Sequence, residues 1–323
     1  MKANEASAVE EVKEVKIVPR KEKYDQDYIK KSRGEKIFGV CNIIFMVLLL
    51  VFLLYPVLNV LAISVSSETE VMAARVTFYP IGFNPQAYTT IFRDGELWRS
   101  ILNSFIVAFG GCALSLVALC VAAYPLAFGK FYGKKLYSVI IMFTMWFQGG
   151  IVPLFLTIKE LGLYDTLWAL ILNSLISAYN VVIIRSYFDS IPYSIVESAR
   201  IDGANDYTIL FKLIVPLSKP VLATVALWVI VAHWNDYMNP LVLISSTSNQ
   251  TLQLKLKSLV LAAESSTSNL STLSQTTDHK GGAALSTQIK NAVLVVSMVP
   301  MIVIYPFIQR FFVSGVMLGS VKG

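Results

Sequence analysis

A short polar stretch between two long apolar segments holds the most informative side chains of the chain. Residues 196–204 read Val-Glu-Ser-Ala-Arg-Ile-Asp-Gly-Ala, and residues 213–216 read Leu-Ile-Val-Pro. The small side chains of Ser198 and Ala199 let another surface approach the backbone. Glu197 and Arg200 stand three residues apart on one helix face, where they are available for ion pairing. This pattern is typical of a docking element, and we expect another protein to bind here from the aqueous side.

Polar and aromatic side chains inside apolar segments form a second group. Polar residues at membrane depth are costly and usually face protein or water. Sugars are bound by planar aromatic faces together with amide or carboxylate partners, and these segments supply both. Alternatively, Asp236 and His233 pair with a neighbouring helix and the aromatic residues belong to interfacial belts. The candidates for a substrate path are Trp146, Gln148, Asn173, Tyr179, Asn180, His233, Trp234, Asn235, Asp236 and Tyr237.

The sequence predicts neither a metal site nor catalytic residues. Cys41, Cys112 and Cys120 all lie in apolar runs, where cysteines are typical small buried hydrophobes. The two histidines, His233 and His279, are too few and too far apart for a metal cluster. The nearest match to a phosphate-binding G-x-x-x-x-G-K-[ST] loop, residues 129–135, has the wrong spacing and no hydroxyl after its lysine. We therefore expect no cofactor to bind this chain.

Composition places the chain in a membrane. Hydrophobic residues make up 55% of its 323 residues, charged residues 15%, and the mean hydropathy is +0.61, whereas soluble domains average about 25% charged residues. A bilayer core of roughly 30 Å requires about 20 apolar residues in a helix. The sequence therefore predicts an all-α, polytopic membrane protein with six transmembrane helices. The six stretches are Ile37–Val65, Asn103–Phe128, Leu136–Ile158, Leu167–Tyr187, Val221–Ile244 and Ile289–Phe312.

Lysine and arginine are distributed unequally between the two predicted sides. With the N-terminus inside, 19 of the 27 basic residues lie on the inner side and eight on the outer side. Since short cytoplasmic segments carry an excess of Lys and Arg, we expect both termini to be cytoplasmic. The chain is predicted to cross the membrane several times.

The predicted organisation is a cytoplasmic tail over residues 1–36 and one membrane domain over residues 37–323. The tail mixes 10 basic with 8 acidic residues, which is typical of a flexible extension. Two outer loops are long, residues 66–100 and 245–288. The first carries aromatic, Pro and Gly residues and is expected to be ordered. The second is rich in Ser and Thr, and its apolar patch, Leu252–Ala263, predicts a short helix lying on the surface.

Residues 189–218, here called the hairpin, are predicted to form two short cytoplasmic helices. The first helix can start at Pro192, because the missing N–H costs nothing in a first turn. It can also start at Ser194, which has capping-box spacing with Glu197. The local sequence therefore leaves two possible starting points.

A bend and a second helix follow. Gly203 permits a sharp reversal of the chain. Asn205 or Asp206 can then cap a helix over Tyr207–Ile214, because both side chains accept bonds from free N–H groups at a helix start. Pro216 is expected to end that helix before the next membrane segment.

The hairpin resembles the EAA loop of ABC importer permeases. The shared pattern is Glu, a small residue, Ala, a Gly four residues later, and a final aliphatic-x-aliphatic-Pro. In that family the loop forms a coupling helix that sits in a cleft of the cytoplasmic ATPase. Ser198 replaces the usual second Ala, and Leu213 and Val215 replace the usual Ile and Leu. The ATPase-docking residues that the resemblance implies are Glu197, Ser198, Ala199, Asp202, Gly203, Leu213, Val215 and Pro216.

The resemblance extends from about Ile37 to the C-terminus and implies a type I ABC importer permease fold. Further motifs look like the carbohydrate-importer branch, at residues 123–126, 147–153, 161–166, 233–236 and 315–323. Within that branch the chain is similar to the six-span, maltose-transporter-type subunit and to permeases for oligosaccharides or polysaccharide fragments.

The function implied by the resemblance is ATP-driven import of a carbohydrate, in oligosaccharide form, by alternating access. The implied partners are two copies of a cytoplasmic ATPase, a second related permease, an extracytoplasmic solute-binding protein and membrane lipid, with no nucleic acid. ATP and Mg²⁺ would be used by the ATPase. The outer segment Leu252–Ala263 would contact the binding protein.

Three other function classes stay open on the sequence. A permease for amino acids, metals or phosphate would share the docking hairpin. An intramembrane enzyme would need a Ser/His/Asp, HExxH or paired-carboxylate arrangement, and the predicted spans contain none. A channel or receptor would leave the hairpin unexplained.

Overall fold

This computed structural model describes residues 32–147, 149–259, 261, 287–303 and 305–306. Within those ranges the regular structure is helical and contains no strand, so the all-α prediction is confirmed there. The chain divides into two units, Met1–Leu53 and Leu54–Gly323. All contacts described below lie within the second unit. The predicted residues Gln148, Val260, Ala262 and Ala263, most of the N-terminal tail and the motif at residues 315–323 lie outside the described residues.

The helices are numbered in chain order. Two of them contain a π-helical turn, Ile106–Gly110 in α4 and Ile209–Ile214 in α10. The helices are α1 (Arg33–Ser64), α2 (Glu68–Met72), α3 (Gln86–Arg93), α4 (Gly95–Phe128), α5 (Lys134–Thr144), α6 (Ile151–Glu160), α7 (Leu167–Asn173), α8 (Ala178–Asp189), α9 (Tyr193–Ile201), α10 (Asp206–Leu217), α11 (Lys219–Asn235), α12 (Met238–Leu243), α13 (residues 252–259) and α14 (Thr287–Val303).

Only two helices of the described part, α1 and α4, are long and apolar enough to cross a membrane without interruption. Two bent pairs, α7 with α8 and α10 with α11, would raise that number to four. The predicted first span agrees with α1. The second begins earlier than predicted, because the carboxylate of Asp94 caps α4 by accepting from the N–H of Glu96 at 2.9 Å. Of the sixth predicted span, the part beyond residue 306 lies outside the described residues.

The third predicted span, Leu136–Ile158, is two helices instead of one. Helix α5 ends at Thr144 and α6 starts at Ile151. Gly150 between them has φ +86°, a backbone conformation that favours glycine and that a helix excludes. The Gly149-Gly150 pair therefore interrupts the apolar run, and the prediction of one continuous helix is wrong at this point.

The fourth predicted span, Leu167–Tyr187, is bent by 50° between α7 and α8. The hydroxyl of Ser115 on α4 donates to the carbonyl oxygen of Leu175 in this break at 2.8 Å. Away from water, a hydroxyl from a neighbouring helix satisfies a carbonyl that a broken helix leaves free. Packing against α4 therefore stabilises the interruption.

The fifth predicted span, Val221–Ile244, is interrupted after α11. The carboxylate of Asp236 accepts from the backbone N–H groups of Met238 at 3.1 Å and Asn239 at 3.2 Å. These are the bonds of a helix-capping side chain, and α12 begins there. The polar group that suggested a substrate path is also the reason that the helix stops.

The core of the second unit forms where α4 packs against α8 and α11. Small residues of α4, such as Ala108, Cys112 and Ala123, are buried there and allow the helices to approach closely. Cys120 is also buried, as predicted, whereas Cys41 on α1 is exposed. Cys41 differs because the side chains around it on α1 are exposed as well.

The two loops predicted to lie on the outer side differ in how well the sequence predicts them. The first contains α2 and α3 and is held by backbone bonds such as Ser67 N–H to Ile81 O at 2.9 Å, so its predicted order is confirmed. In the second, α13 buries Leu252, Leu254 and Leu256. The short helix predicted in Leu252–Ala263 is therefore present over residues 252–259, with Lys257 and Ser258 exposed, but its apolar side packs into the core.

Candidate functional site

The first helix of the hairpin starts at Tyr193, directly after Pro192. No side chain caps it, and Pro192 fits its start because it brings no free N–H. The predicted capping box is not formed, since Ser194 lies inside the helix and its carbonyl accepts from the hydroxyl of Ser198 at 2.8 Å. Of the two predicted starting points, the structure therefore favours the one at Pro192.

Gly203 makes the predicted reversal with φ +83°. The N–H of Ala204 donates to the carbonyl of Ala199, and the N–H of Gly203 donates to the carbonyl of Arg200, both at 3.0 Å. This pair of bonds is the Schellman motif, which satisfies the free carbonyls at a helix end. The bend is thus set by local backbone bonding.

The second helix of the hairpin is capped by Asn205, whose side-chain oxygen accepts from the N–H of Thr208 at 2.8 Å. Asp206 is therefore left free for other bonds. The helix continues past Pro216 to Leu217, so the prediction that Pro216 ends it is wrong. The π-helical turn before Pro216 shifts the hydrogen-bond pattern, and the chain turns at Ser218 to meet α11 at 84°.

The exposed edge of the hairpin differs in part from the predicted docking set. Glu197, Ser198, Asp202 and Gly203 are exposed, and so is Pro216. Glu197 has no ion pair within the described residues. Leu213 and Val215 are half-buried and pack against the core, as does Ala199. These three residues anchor the hairpin on the core, and they contribute little to a surface for ATPase docking.

Sequence reasoning missed two apolar residues on the same edge. Ile201 is 81% exposed and Tyr207 is 74% exposed. Ile201 lies four residues after Glu197, on the same face of the first helix, and exposed apolar groups rimmed by polar residues mark protein contacts. The alternation of small, charged and apolar residues around Gly203 was the sequence signal that could have identified these two residues. From here on, the docking edge means Glu197, Ser198, Ile201, Asp202 and Tyr207.

Arg200 does not pair with Glu197. Its guanidinium donates to the Asp206 carboxylate and to the Tyr193 hydroxyl, at 3.0 and 3.2 Å. Asp206 also accepts from the hydroxyl of Tyr124 on α4 at 3.0 Å. The hydrogen bond from Arg200, followed by that from Tyr124, holds the pKa of Asp206 below its ordinary value. The carboxylate is therefore ionised at neutral pH.

A cavity of about 590 Å³ opens beside the α7–α8 break, between α8 and α11. Five predicted substrate-path residues line it, together with Ser174, Ser177, Trp228 and Asn239. The five are Tyr179, Asn180, His233, Asn235 and Asp236. No Lys or Arg is among the described lining residues, so the wall offers neutral hydrogen-bonding groups and one carboxylate.

Two buried polar groups of the cavity wall have no side-chain partner among the described residues. Asn180 is 9% exposed, and its amide makes no hydrogen bond there. The Nε2 atom of His233, also buried, has none either. The imidazole lies against Gly111 of α4, where an added Cβ would be 3.0 Å from Nε2. The Nε2 atom is therefore shielded from the cavity, whereas the amide of Asn180, on the cavity wall, keeps hydrogen-bonding capacity that a solute hydroxyl can use.

An aromatic pair completes the wall. The rings of Tyr179 and Trp228 lie 5.9 Å apart at an angle of 38°. Trp228 was not predicted, although it precedes Ala232 by four residues and Asn235 by seven, on one face of α11. Aromatic faces next to amide groups form the combination that binds a pyranose ring.

The other predicted path residues lie elsewhere. Trp146 is 83% exposed and, like Tyr237, lies outside the cavity wall. Trp234 is buried, and its indole N–H donates to the carbonyl of Ser297 at 3.2 Å. Asn173 donates to the side chain of Asn239 at 3.3 Å, behind the wall.

On the predicted outer side, Asp165 ties the α6–α7 turn to residues 245–249. Its Oδ1 accepts from the N–H groups of Ser245 and Ser246 and from the Ser246 hydroxyl, each at 2.9 Å. The backbone N–H of Ser246 is the main cause that lowers the pKa of Asp165 from 3.8. The carboxylate therefore stabilises the tie at pH values above its ordinary pKa, and the tie is lost only as the pH falls through the lowered pKa of the folded state.

Replacing Asp165 with Ala should loosen residues 245–249. A hydrogen bond to a charged group contributes about 1.5–3 kcal/mol, and less where water competes, so we expect amide exchange about tenfold faster over residues 245–250. Hydrogen–deuterium exchange would measure it. Asp165 has φ +61°. Asp165→Asn is the matched control, because it keeps an acceptor oxygen and Asn tolerates a positive φ. Equal exchange in the Ala variant and the wild type would contradict the tie.

Residues 113–318 match the family described as "Binding-protein-dependent transport system inner membrane component". The polygalacturonan/rhamnogalacturonan transport system permease YtcP of Bacillus subtilis is 36% identical, over 86% of this chain and 96% of that protein. LplC of the same organism is 34% identical, over 90% of this chain and 97% of that protein. AraQ of Halalkalibacterium halodurans, an arabinooligosaccharides transport system permease, is 28% identical, over 83% of this chain and 91% of that protein.

Two solved structures share the fold. A chain of a bacterial ABC transporter involved in the import of the acidic polysaccharide alginate superposes with a TM-score of 0.78 and 32% identity, covering 87% of this chain and 99% of that chain. A chain of an alginate transporter in complex with its pentasaccharide-bound periplasmic protein reaches a TM-score of 0.51 at 12% identity, covering 86% of this chain and 94% of that chain. The second similarity concerns the fold alone.

Proposed function

This chain belongs to the family of binding-protein-dependent transport system inner membrane components, and on that premise we propose that it passes a carbohydrate, in oligosaccharide form, across the plasma membrane. Members of the family are the membrane permease subunits of ABC transporters. The chain is accordingly a transport subunit without an ATPase site of its own. The substrate, the path and the further partners are parts of the proposal.

The observation that carries the carbohydrate proposal is the cavity between α8 and α11. It combines the Tyr179–Trp228 pair with the amide groups of Asn180 and Asn235. Binding sites of this kind are concave and largely apolar, with few placed polar groups. Two relatives are named as transport permeases for polygalacturonan/rhamnogalacturonan and for arabinooligosaccharides. These names support a saccharide as the substrate over an amino acid or phosphate.

The source of energy in this proposal is a cytoplasmic ATPase bound at the docking edge. The exposed carboxylate of Glu197 and the exposed side chains of Ile201 and Tyr207 support that role. Two ATPase copies would use ATP and Mg²⁺, and a second permease would complete the pore. The excess of Lys and Arg on one side supports a cytoplasmic position for the hairpin and both termini.

The outer side would receive the solute-binding protein. Because α13 buries its leucines, contact there would use its exposed residues Lys257 and Ser258 in place of the apolar patch. Deleting this helix would remove core side chains and is therefore no clean test of the contact. Substitution of these two exposed residues is the appropriate variant.

Uptake by the reconstituted complex tests the proposal. The chain would be purified with its ATPase, its second permease and its binding protein, and placed in liposomes that contain ATP. We expect uptake of labelled oligosaccharides that depends on ATP and on the binding protein. Uptake of an amino acid or phosphate without saccharide uptake would contradict the substrate class, and purification without any ATPase would contradict the docking role.

A further inference from the structure

Among the polar contacts of the hairpin, one carboxylate joins both of its helices to the long helix α4. Oδ1 of Asp206, at the start of α10, accepts hydrogen bonds from the Arg200 guanidinium of α9 and from the hydroxyl of Tyr124, both at 3.0 Å. One oxygen atom thus connects both helices of the hairpin with a membrane helix. Neither Asp206 nor Tyr124 belongs to the sequence pattern of the EAA loop.

The surroundings strengthen this connection. Arg200 also donates to the hydroxyl of Tyr193, and the ammonium group of Lys130 lies 5.0 Å from the centre of the Tyr193 ring. Lys130 stands in the turn that follows α4. The hairpin is therefore held at two neighbouring points of the same helix end.

Stability alone does not account for this arrangement. The side chains of Arg200 and Asp206 are 37% and 63% exposed, and ion pairs this exposed contribute little to stability. The Tyr124 residue, in contrast, is only 7% exposed. Its hydroxyl therefore comes from a buried residue of α4, and it fixes the position of the solvent-exposed pair relative to that helix.

Helix α4 leads from this contact to the cavity. Tyr124 lies near one end, and Gly111 lies on the same helix a rise of about 20 Å away. Gly111 touches the imidazole of His233 in the cavity wall, beside the π-helical turn Ile106–Gly110. Helix π-turns occur frequently at functional sites. A displacement of α4 at Tyr124 therefore reaches the cavity through one continuous element.

We propose that Asp206 is a positioning residue that transmits movement of the docking edge to α4 and thereby to the cavity. The proposal rests on the function proposed above, because it requires an ATPase on the docking edge and a solute in the cavity. Asp206 is not one of the docking-edge residues, and it does not line the cavity. It determines how firmly the hairpin and α4 move together.

Two variants test the transmission in the reconstituted complex. Tyr124→Phe removes one hydroxyl and keeps the buried ring, so it leaves the fold intact. Asp206→Ala removes the shared acceptor. In both we expect the ATPase to remain bound and to hydrolyse ATP, while the amount of solute imported per ATP falls by about fivefold or more, the lower end of couplings between separate sites. Asp206→Glu, which keeps the carboxylate, should recover part of the loss.

Tyr137→Phe is the matched control, because its exposed hydroxyl has no hydrogen-bond partner within the described residues. It should leave the import-to-hydrolysis ratio unchanged. An unchanged ratio in Tyr124→Phe and Asp206→Ala would overturn the proposal. Loss of the ATPase from Asp206→Ala would also overturn it, since Asp206 would then belong to the docking edge. A wild-type complex that binds no ATPase or imports no saccharide would instead contradict the proposed function.

Discussion

Reversing the charge at Glu197 (E197K) should detach the ATPase and stop import. Glu197 is exposed at the docking edge and has no ion pair within the described residues, so its carboxylate is available to a partner. Leaving a buried partner charge unpaired costs about 2 kcal/mol or more, which lowers affinity about 30-fold. Co-purification of the ATPase and uptake in liposomes would measure the two effects. Ile201→Asp should act in the same direction.

The control for this prediction is Glu160→Lys, the same charge reversal at an exposed residue at the end of α6. We expect it to retain both the ATPase and import. A bulky substitution at Ala199 is less informative, because Ala199 packs against the core and its carbonyl forms part of the Gly203 bend. If Glu197→Lys and Ile201→Asp kept the ATPase bound with wild-type affinity, the docking edge would be wrongly assigned.

Filling the cavity with Ala232→Trp should lower uptake about tenfold or more, which corresponds to about 1.4 kcal/mol on the barrier to translocation. Ala232 is an exposed residue of the cavity wall between Trp228 and Asn235, so an indole there occupies cavity space and leaves the core undisturbed. The measurement is the rate of saccharide uptake, with ATPase attachment measured on the same preparation.

Ala232→Ser is the matched control and should transport normally, because a hydroxyl adds little volume. Normal uptake in Ala232→Trp, with the complex intact, would place the path elsewhere. Asp236→Ala is a poorer test of the path. Its carboxylate accepts from the amide of Asn239 at 2.6 Å and from two backbone N–H groups at the start of α12, so its loss would disturb the fold as well.

Local chemistry made part of the hairpin predictable. The bend at Gly203 and the cap at Asn205 each depend on a few neighbouring residues, and both are found where the sequence indicates them. The predictions of a capping box at Ser194 and of a helix end at Pro216 were wrong. Each depends on how the helix as a whole is placed, and the sequence window does not contain that information.

The membrane segments were also predicted only in part. Apolar length predicted α1 and α4, because a long apolar run can be satisfied only as a helix. The interruptions at Gly150 and Asp236 were not predicted, although the glycine and the capping carboxylate that cause them lie within the apolar runs themselves. The α7–α8 break depends in addition on a neighbouring helix. Ser115 is an example, because its hydroxyl reaches the α7–α8 break from α4.

The sequence predicted that polar and aromatic residues line a substrate path, but it did not predict which of these residues line the cavity. Five of the ten predicted residues meet there, because polar groups in apolar segments turn towards a shared space. Trp234 and Trp228 differ in burial although both lie on α11. The sequence cannot tell which tryptophan faces the core, since that depends on the rotation of α11 against α4.

The space around Gly203 determines what this position demands of a residue. A Cβ added to it would meet no atom within 4 Å, while its φ of +83° is unfavourable for ordinary side chains. The position therefore requires a residue that adopts a left-handed backbone conformation, and it does not require a small side chain. A mirror-image D-alanine, introduced by chemical synthesis of the segment, would fit where L-alanine is strained by about 1–2 kcal/mol.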